Sequence, residues 1–569
     1  MAKLNGSRVC IEALEREGVE TIFGIPGGAI MPFYDALLDS NIRHVLTRHE
    51  QGAAHMADGY ARASGRVGVC LATSGPGATN LVTGIATAFM DSSPILAITG
   101  QVSSSLIGTE AFQEADVMSL AASVTKRSFQ FKEPKEIPAI VRSAFHIAYS
   151  GRQGPVLIDF PKDVQTLEDE VVPFPSTKFP THEPQEPPKE QIIQGIQALT
   201  DCCKPLILVG GGARMSNAGP EIVRAAETLG IPVATTFIGK GAMPENHPLS
   251  LGTIGMHGRP YSNLLISQAD LILAVGCRFS DRSTSSKEFG KNTTIVHIDV
   301  DSSEAGKTGH TRIPIVGDAK RSMKALLSQL GENNQNRYAN WLKQVDEVRR
   351  SYVPKQDNSS IVRPPKLLKE LRQMLPVDAI VTTDVGQHQM WAGLFFDAYQ
   401  ARDFITSAGL GTMGFGFPAA MGAKIARPDK VVVNLTGDGS FVMNAQELAC
   451  SVTENIPVIV IIINNKSLGM VAQWQRTFFN NRYSAIDMGN SPDFAKMAEA
   501  FGAVGVTISS YDEFSRAVKS ALASDVTTVI DVPISPEEDV YPFVIPGKPL
   551  TETLLGDEFV RSSSSGHDK

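Results

Sequence analysis

The sequence predicts an α/β protein of three doubly wound parallel-sheet domains, and three observations carry that prediction. The chain has 569 residues, too many for one hydrophobic core. Short Val/Ile/Leu runs alternate with stretches of helical periodicity: VGVCLATSG, PILAITG and PVLIDF in the first third, PLILVGGG, LILAVGC and TIVHIDV in the second, VVVNLTG and VIVIIINN in the last. Unbroken apolar runs of that length are the form taken by strands buried on both faces beneath covering helices. Two breaks divide the series. EDEVVPFPSTKFPTHEPQEPPKE (168–190) carries six prolines, which exclude a helix or a central strand and predict an extended linker. A second polar stretch, GENNQNRYANWLKQVDEVRRSYVPKQDNSSIVRPPK (331–366), separates the middle third from the last. Domains are therefore expected over 1–170, 190–345 and 362–548. The first and last thirds read as similar βα frameworks, no short-period repeat is found, and the tail RSSSSGHDK reads as disordered.

Composition narrows the function. Hydrophobic residues make up 42% and charged residues 20%, as in an ordinary soluble globular protein. A formal charge of −8 argues against a nucleic-acid surface. No apolar run is long enough to span a bilayer, and the opening MAKLNGSRVCIEALEREGVETIFGIPGG enters an amphipathic helix almost at once. Neither a signal nor a transit peptide is read there, so a cytoplasmic location without a membrane partner is expected. Cys10, Cys70, Cys202, Cys203, Cys277 and Cys450 fall in no CxxC or Cys/His pattern, which predicts reduced packing thiols.

Each third then offers one candidate for chemistry. VLTRHEQGAAHMADGYARASGRVGVCLATSGPGATN places Glu50 after a short strand, at the head of a helix rich in small residues. Taken alone, a glutamate there is what the helix dipole favours. In the middle third, LILVGGGARMSNAG is a strand followed by a glycine cluster, and GMHG, VGCRFSDR and HIDVDSSEAGK repeat the strand-then-acid or strand-then-arginine pattern of dinucleotide sites. Loose glycine clusters of this kind also occur in α/β domains without a ligand. In the last third, VVNLTGDGSFVMNAQELACS (432–451) is a β-branched run that breaks at Gly437-Asp438-Gly439-Ser440. A carboxylate then stands at the carboxyl end of a strand, beside backbone N–H groups with little side chain in the way. A plain helix cap by Asp438 or Ser440 is the alternative. The next apolar strand, IPVIVIIINNKSLGM, ends in Asn464-Asn465, with Asn465 twenty-seven positions after Asp438. One βαβ unit brings that amide beside the carboxylate. Carboxylate, amide and carbonyl oxygens with a substrate diphosphate are what Mg²⁺ prefers.

GDG followed by NN at this spacing resembles the signature of the thiamine-diphosphate (ThDP) enzymes. The resemblance implies Mg²⁺ held by Asp438, Asn465 and the backbone carbonyl of Ser467, with Gly437, Gly439, Ser440, Leu468, Gly469 and Met470 around the cofactor. DVGQHQMW supplies Gln387 and His388 as matches to diphosphate contacts. GLGTMGFGFPAAMGAK supplies Gly411, whose carbonyl takes the 4′-amino group, and Met413, a hydrophobic wedge that bends the cofactor. Read by itself, Met413 is a core methionine. Glu50 matches the RHE-type glutamate that bonds pyrimidine N1′, with His49 a neighbour and not a base. A carboxyl group buried against an aromatic ring favours its neutral form and can donate a proton to N1′. The imino tautomer so promoted carries the base, N4′, that removes the C2 proton. In this family the pyrimidine and the diphosphate are held by domains of two subunits, which implies at least an obligate dimer, as a homodimer or homotetramer.

Over roughly residues 4–550 the chain most closely resembles the acetohydroxyacid synthase (acetolactate synthase) catalytic-subunit family. TEAFQEAD gives Phe112 and Gln113 near the reacting carbon and the flavin, GPVLIDFPKDVQ gives Lys162 at the substrate entrance, and NNKSLGMVAQWQ gives Met470 and Trp474 on the segment that closes the site. Trp474 is expected to favour 2-ketobutyrate, because an indole face gives its extra methylene an apolar contact worth about 1–3 kcal/mol. Without the family motif, it reads as a buried indole that helps the segment to fold. By resemblance the middle domain binds FAD through Gly210, Gly211, Gly212, Met256, His257, Gly258, Gly276, Arg278, Arg282, Asp299 and Asp318, with Arg152 from the first domain. One departure stands out: the flavin-containing branch reads RFDDR, and here Ser280 replaces the first Asp. The implied reaction is decarboxylation of pyruvate and ligation of the hydroxyethyl unit to pyruvate or 2-ketobutyrate, giving 2-acetolactate or 2-aceto-2-hydroxybutyrate. This is the first common step of branched-chain amino acid biosynthesis. FAD would be structural, since carboligation transfers no net electrons, and a separate small regulatory subunit is an implied partner. A flavin-free catabolic acetolactate synthase and a pyruvate oxidase remain alternatives. A nucleotide-binding scaffold that lost its chemistry has no need for Glu50, Asp438 and Asn465 together.

Overall fold

All eight apolar runs form strands, and the longest of them, Ile95–Gln101, is buried at every position. The computed structural model describes residues 3–170, 184–307, 311–330, 337–355, 361–489, 492–556 and 559–561. Most of the proline-rich linker and the tail beyond Arg561 lie outside the described residues. The strands build three six-stranded sheets, parallel throughout. The first runs Arg43–Leu46, Thr21–Gly24, Gly68–Ala72, Ile95–Gln101, Val156–Pro161, Arg127–Gln130. The third runs Phe404–Thr406, Ile380–Thr383, Val432–Gly437, Ile459–Asn464, Thr528–Pro533, Val504–Thr507. Numbered in chain order within each sheet, both are 2-1-3-4-6-5, so the first and last thirds share a framework.

The middle sheet is different. Ser250–Thr253, Val233–Thr235, Pro205–Val209, Leu271–Val275, Thr294–Asp299 and Thr311–Val316 lie side by side in the order 3-2-1-4-5-6. That order reverses between the first and fourth strands and opens a crevice at their carboxyl ends, where dinucleotides bind. The polar stretch after this sheet contains a helix, Ala339–Ser351, which runs through residue 345. Trp341 and Val345 are buried in the middle core, and the Trp341 indole N–H donates to the Pro205 carbonyl at 2.9 Å. The chain returns to this domain near its end: Val544 and Leu550 join the same core.

Close helix packing joins the first and third domains. Helices Glu50–Ser64 and Gly416–Ala426 cross so tightly that a Cβ on Gly422 would stand 1.9 Å from the Met56 carbonyl oxygen. Gly59 meets Ala419 in the same way. Gly422→Val is therefore expected to push the helices apart at a cost of about 1–3 kcal/mol or more, read as a lower midpoint in denaturant unfolding; an unchanged midpoint would contradict this packing. The middle and third domains are held by a buried ionic cluster. Glu245 accepts from Lys240 and from Arg259, and Arg259 also donates to Asp397 at 2.8 Å.

Candidate active site

The third sheet presents an acidic turn. Gly437 pairs with Ile463, so Asp438 and Asn464-Asn465 stand at the carboxyl ends of neighbouring strands. Asp438 opens the short helix Asp438–Phe441 and is 2% exposed. Its Oδ2 is buried with no hydrogen-bond partner, and burial pushes the carboxyl up to about 6. An unpaired buried carboxylate oxygen is costly unless a cation or proton meets it. Asn465 donates from Nδ2 to Gln387 Oε1 at 3.0 Å and accepts at Oδ1 from the Ser467 N–H at 3.1 Å. Among the described residues no group of three or more His, Cys, Asp or Glu side chains is placed to hold a metal. The oxygens near Asp438 are instead of the mixed carboxylate, amide and carbonyl kind that suits Mg²⁺. His388 is buried beside Gly437, its Nε2 lacks a partner, and burial pulls the imidazole down to about 3, so it is neutral.

Asp384 shapes the turn that follows. Its Oδ1 accepts from the Gly414 N–H at 2.8 Å and its Oδ2 from the Gly416 N–H at 3.1 Å, which folds the segment of Gly411 and Met413 back over the strand end. The first domain holds the same segment from below. Asp91 accepts from the N–H groups of Ala408 and Gly409 at 3.2 and 2.8 Å, and Arg62 bridges Asp91 to Asp58.

Glu50 is the first residue of its helix and 9% exposed, and its Oε2 accepts from Asn80 Nδ2 at 3.0 Å. The Ser74–Gly77 turn runs between Glu50 and Gln113: a Cβ on Gly77 would lie 3.3 Å from Glu50 Oε1, and one on Gly75 would lie 2.9 Å from the Gln113 carbonyl oxygen. Phe112 is 88% exposed and Lys162 is also exposed, at the start of helix Lys162–Thr166.

A cavity of about 1270 Å³ opens at the crevice of the middle sheet. Arg152, Gly210, Gly211, Gly212, Met256, His257, Gly276, Arg278, Arg282, Asp299 and Asp318 all line it, and its far end reaches Gly411, Met413, Met470 and Trp474. Gly258 is the exception: it lies behind the wall, packed on Ile254, Gly255 and Asn263. Gly276 has φ +61, and its carbonyl accepts the Gly212 N–H at 3.0 Å, which brings two glycine turns together. Arg278 donates to the Met90 carbonyl at 2.6 Å and Arg152 to Ser92 Oγ at 2.8 Å. Arg282 lies over the Trp474 ring, 5.8 Å from its centroid. Ser280 also lines the cavity. Glycine turns at strand ends, flanking arginines and an acid ending a strand suit a dinucleotide's phosphates and ribose. The residues present fit Mg²⁺ at the Asp438 turn and FAD in this cavity. Among the described residues, none of Glu50, Phe112, Gln113 and Lys162 lines this cavity.

Comparison with known proteins agrees along the whole chain. Residues 4–120, 192–326 and 384–532 match, in that order, the N-terminal TPP binding domain, the central domain and the C-terminal TPP binding domain of the thiamine pyrophosphate enzymes. A probable acetolactate synthase large subunit of Methanocaldococcus jannaschii is 48% identical over 563 residues, covering 97% of this chain and 95% of that one. The acetolactate synthase isozyme 2 large subunit of Escherichia coli is 44% identical over 554 residues, covering 97% and 99%. The chain belongs to the acetolactate synthase family of thiamine pyrophosphate enzymes.

As a member of the acetolactate synthase family it is a ThDP-dependent enzyme of the transferase class. Asp384, Asp91 and Asn80 are polar groups of this acetolactate synthase fold that sequence reasoning missed. Asp384 had a signal, since it follows the last residue of a strand, two positions ahead of a glycine. Asp91 had none, because the backbone N–H groups it holds in the third domain are more than three hundred residues away. No helix among the described residues is long and apolar enough to cross a membrane.

Proposed function

We propose that this chain is the catalytic subunit of an acetolactate synthase that joins a hydroxyethyl unit from pyruvate to a second 2-ketoacid, pyruvate or 2-ketobutyrate, at the head of branched-chain amino acid biosynthesis. The observation that carries the reading is continuity: the cavity with dinucleotide-type walls reaches Gly411, Met413, Met470 and Trp474, and a Cβ on Gly439 of the acidic turn would lie 3.8 Å from the Met413 methyl. Asp438 Oδ2, the Asn465 amide and the Ser467 carbonyl would hold Mg²⁺, with Gln387 and His388 against the diphosphate. Bound ThDP supplies the electron sink that makes loss of CO₂ from pyruvate feasible. Glu50 would hold a proton toward the pyrimidine ring, and Met413 would pack against the cofactor. Gln113 and Lys162 orient the ketoacids, and Trp474 screens the acceptor while its segment excludes water. FAD would lie along Gly210–Gly212, Gly276, Arg152, Arg278 and Arg282 in a structural role; with Ser280 in place of an acid, Arg278 and Arg282 still line the cavity.

Exposure of Phe112 and Lys162, and the absence of Glu50 and Gln113 from the cavity wall, support a site completed by a second copy of the chain. A small regulatory partner is supported by the relatives' designation as large subunits. The test is stoichiometric: one CO₂ released and one acetolactate formed per two pyruvates, with no oxygen uptake. Oxygen consumption would assign a pyruvate oxidase, and absence of turnover with bound ThDP would assign a scaffold. Trp474→Leu is expected to lower the preference for 2-ketobutyrate over pyruvate by about tenfold, the worth of a methylene contact, measured as a product ratio in competition; an unchanged ratio would remove Trp474 from acceptor choice.

A further inference from the structure

The start of helix Glu50–Ser64 is held from the other end of the chain. Glu447 is fully buried at the head of helix Glu447–Thr453. Its Oε1 accepts from the N–H groups of Arg48 at 3.0 Å and His49 at 2.9 Å, and its Oε2 from Arg48 again at 3.2 Å. These are the two residues before Glu50. On the far side, a Cβ on Gly52 would stand 2.5 Å from Glu447 Oε1, so the carboxylate fills the space beside the first turn. Burial raises this carboxyl to about 7 despite the N–H donors, a cost that a buried acid bears only where its bonds are needed. The segment from Asp438 to Glu447 also holds the turn of the third domain: Asn444 Nδ2 donates to the Gly414 carbonyl at 2.7 Å, and the Glu447 N–H donates to the Asn444 carbonyl at 3.1 Å. One continuous stretch thus ties the Asp438 turn, the Gly411–Met413 turn and the start of the Glu50 helix.

We propose that Glu447 is a positioning residue for carboligation: by accepting the Arg48 and His49 N–H groups, it fixes the start of helix Glu50–Ser64 and so aims the Glu50 carboxyl. The inference rests on the role given to Glu50 above. It is the acceptor oxygen at this place that matters, and not the charge. A Gln at 447 can keep Oε1, which takes both donors, whereas Ala leaves them bare.

The experiment uses the full chain with ThDP and Mg²⁺ and reads the exchange rate of the ThDP C2 proton, together with ThDP affinity and the KM for pyruvate. Glu447→Ala is expected to slow exchange by about 10- to 100-fold, as small misplacements of a reacting group do. Glu447→Gln is expected to stay within about threefold of the natural protein, since its hydrogen bonds survive. Gly52→Ala, which displaces the carboxylate without substituting Glu447, is expected to follow Glu447→Ala while ThDP affinity and KM hold; it decides the matter should Glu447→Ala fail to fold. Natural exchange in Glu447→Ala or Gly52→Ala would overturn the proposal, as would a Glu447→Gln variant as slow as Glu447→Ala. Glu50→Gln, run alongside, separates the two readings. Slow exchange there with natural exchange in Glu447→Ala sinks only the positioning role, whereas natural exchange in Glu50→Gln sinks the reading beneath it.

Discussion

Glu50→Gln is expected to slow exchange of the C2 proton of bound ThDP by about 10²- to 10⁴-fold, the usual worth of a positioned acid or base. Glutamine keeps the length and shape of the side chain, and its amide can still pair with Asn80, which donates to Glu50 at 3.0 Å. It cannot hold an exchangeable acid proton at N1′. ThDP and Mg²⁺ binding should survive, because the groups proposed for them lie on the third sheet. Product formation should fall in step with exchange. Deuterium exchange stopped by acid quench and read by proton NMR measures the effect directly, and an unchanged rate would remove Glu50 from cofactor activation.

Asp438→Asn is expected to weaken Mg²⁺-dependent ThDP binding by about 100-fold or more, because changes one bond further from a metal already cost 10- to 100-fold. Asp438 Oδ2 is buried and unpartnered, and the amide and carbonyl oxygens nearby carry no charge to replace it. Without cofactors, the variant should be as stable as the natural protein or more so, since a buried unpaired charge is removed. Cofactor titration and thermal melting of the cofactor-free protein separate the two effects. Retained affinity would place the metal elsewhere, and a collapse of stability would make Asp438 a structural residue.

The sheets were legible because strands buried on both faces leave unbroken apolar runs, and the Asp438 turn because it sits where such a run stops. Strand order was not legible, since the 3-2-1-4-5-6 arrangement of the middle sheet depends on which strands meet and not on their own patterning. Helix Ala339–Ser351 was hidden by polar composition, although Trp341, Val345 and Val348 recur at helical spacing toward the core. The clamps by Asp91 and Glu447 pair residues from opposite ends of the chain, which no local spacing reports. Gly258 shows the limit of a motif: the residue itself packs on Ile254, Gly255 and Asn263.

The proposed enzyme is a carboligase whose continuous cavity would serve a flavin beside an acceptor-screening indole. The most direct test is an absorbance spectrum of the purified protein followed by a competition assay with ThDP, Mg²⁺, pyruvate and an equal concentration of 2-ketobutyrate. The account predicts flavin absorbance and a clear excess of 2-aceto-2-hydroxybutyrate over 2-acetolactate. A colourless protein that forms only 2-acetolactate would contradict it and would assign the cavity around Ser280 to a flavin-free catabolic enzyme.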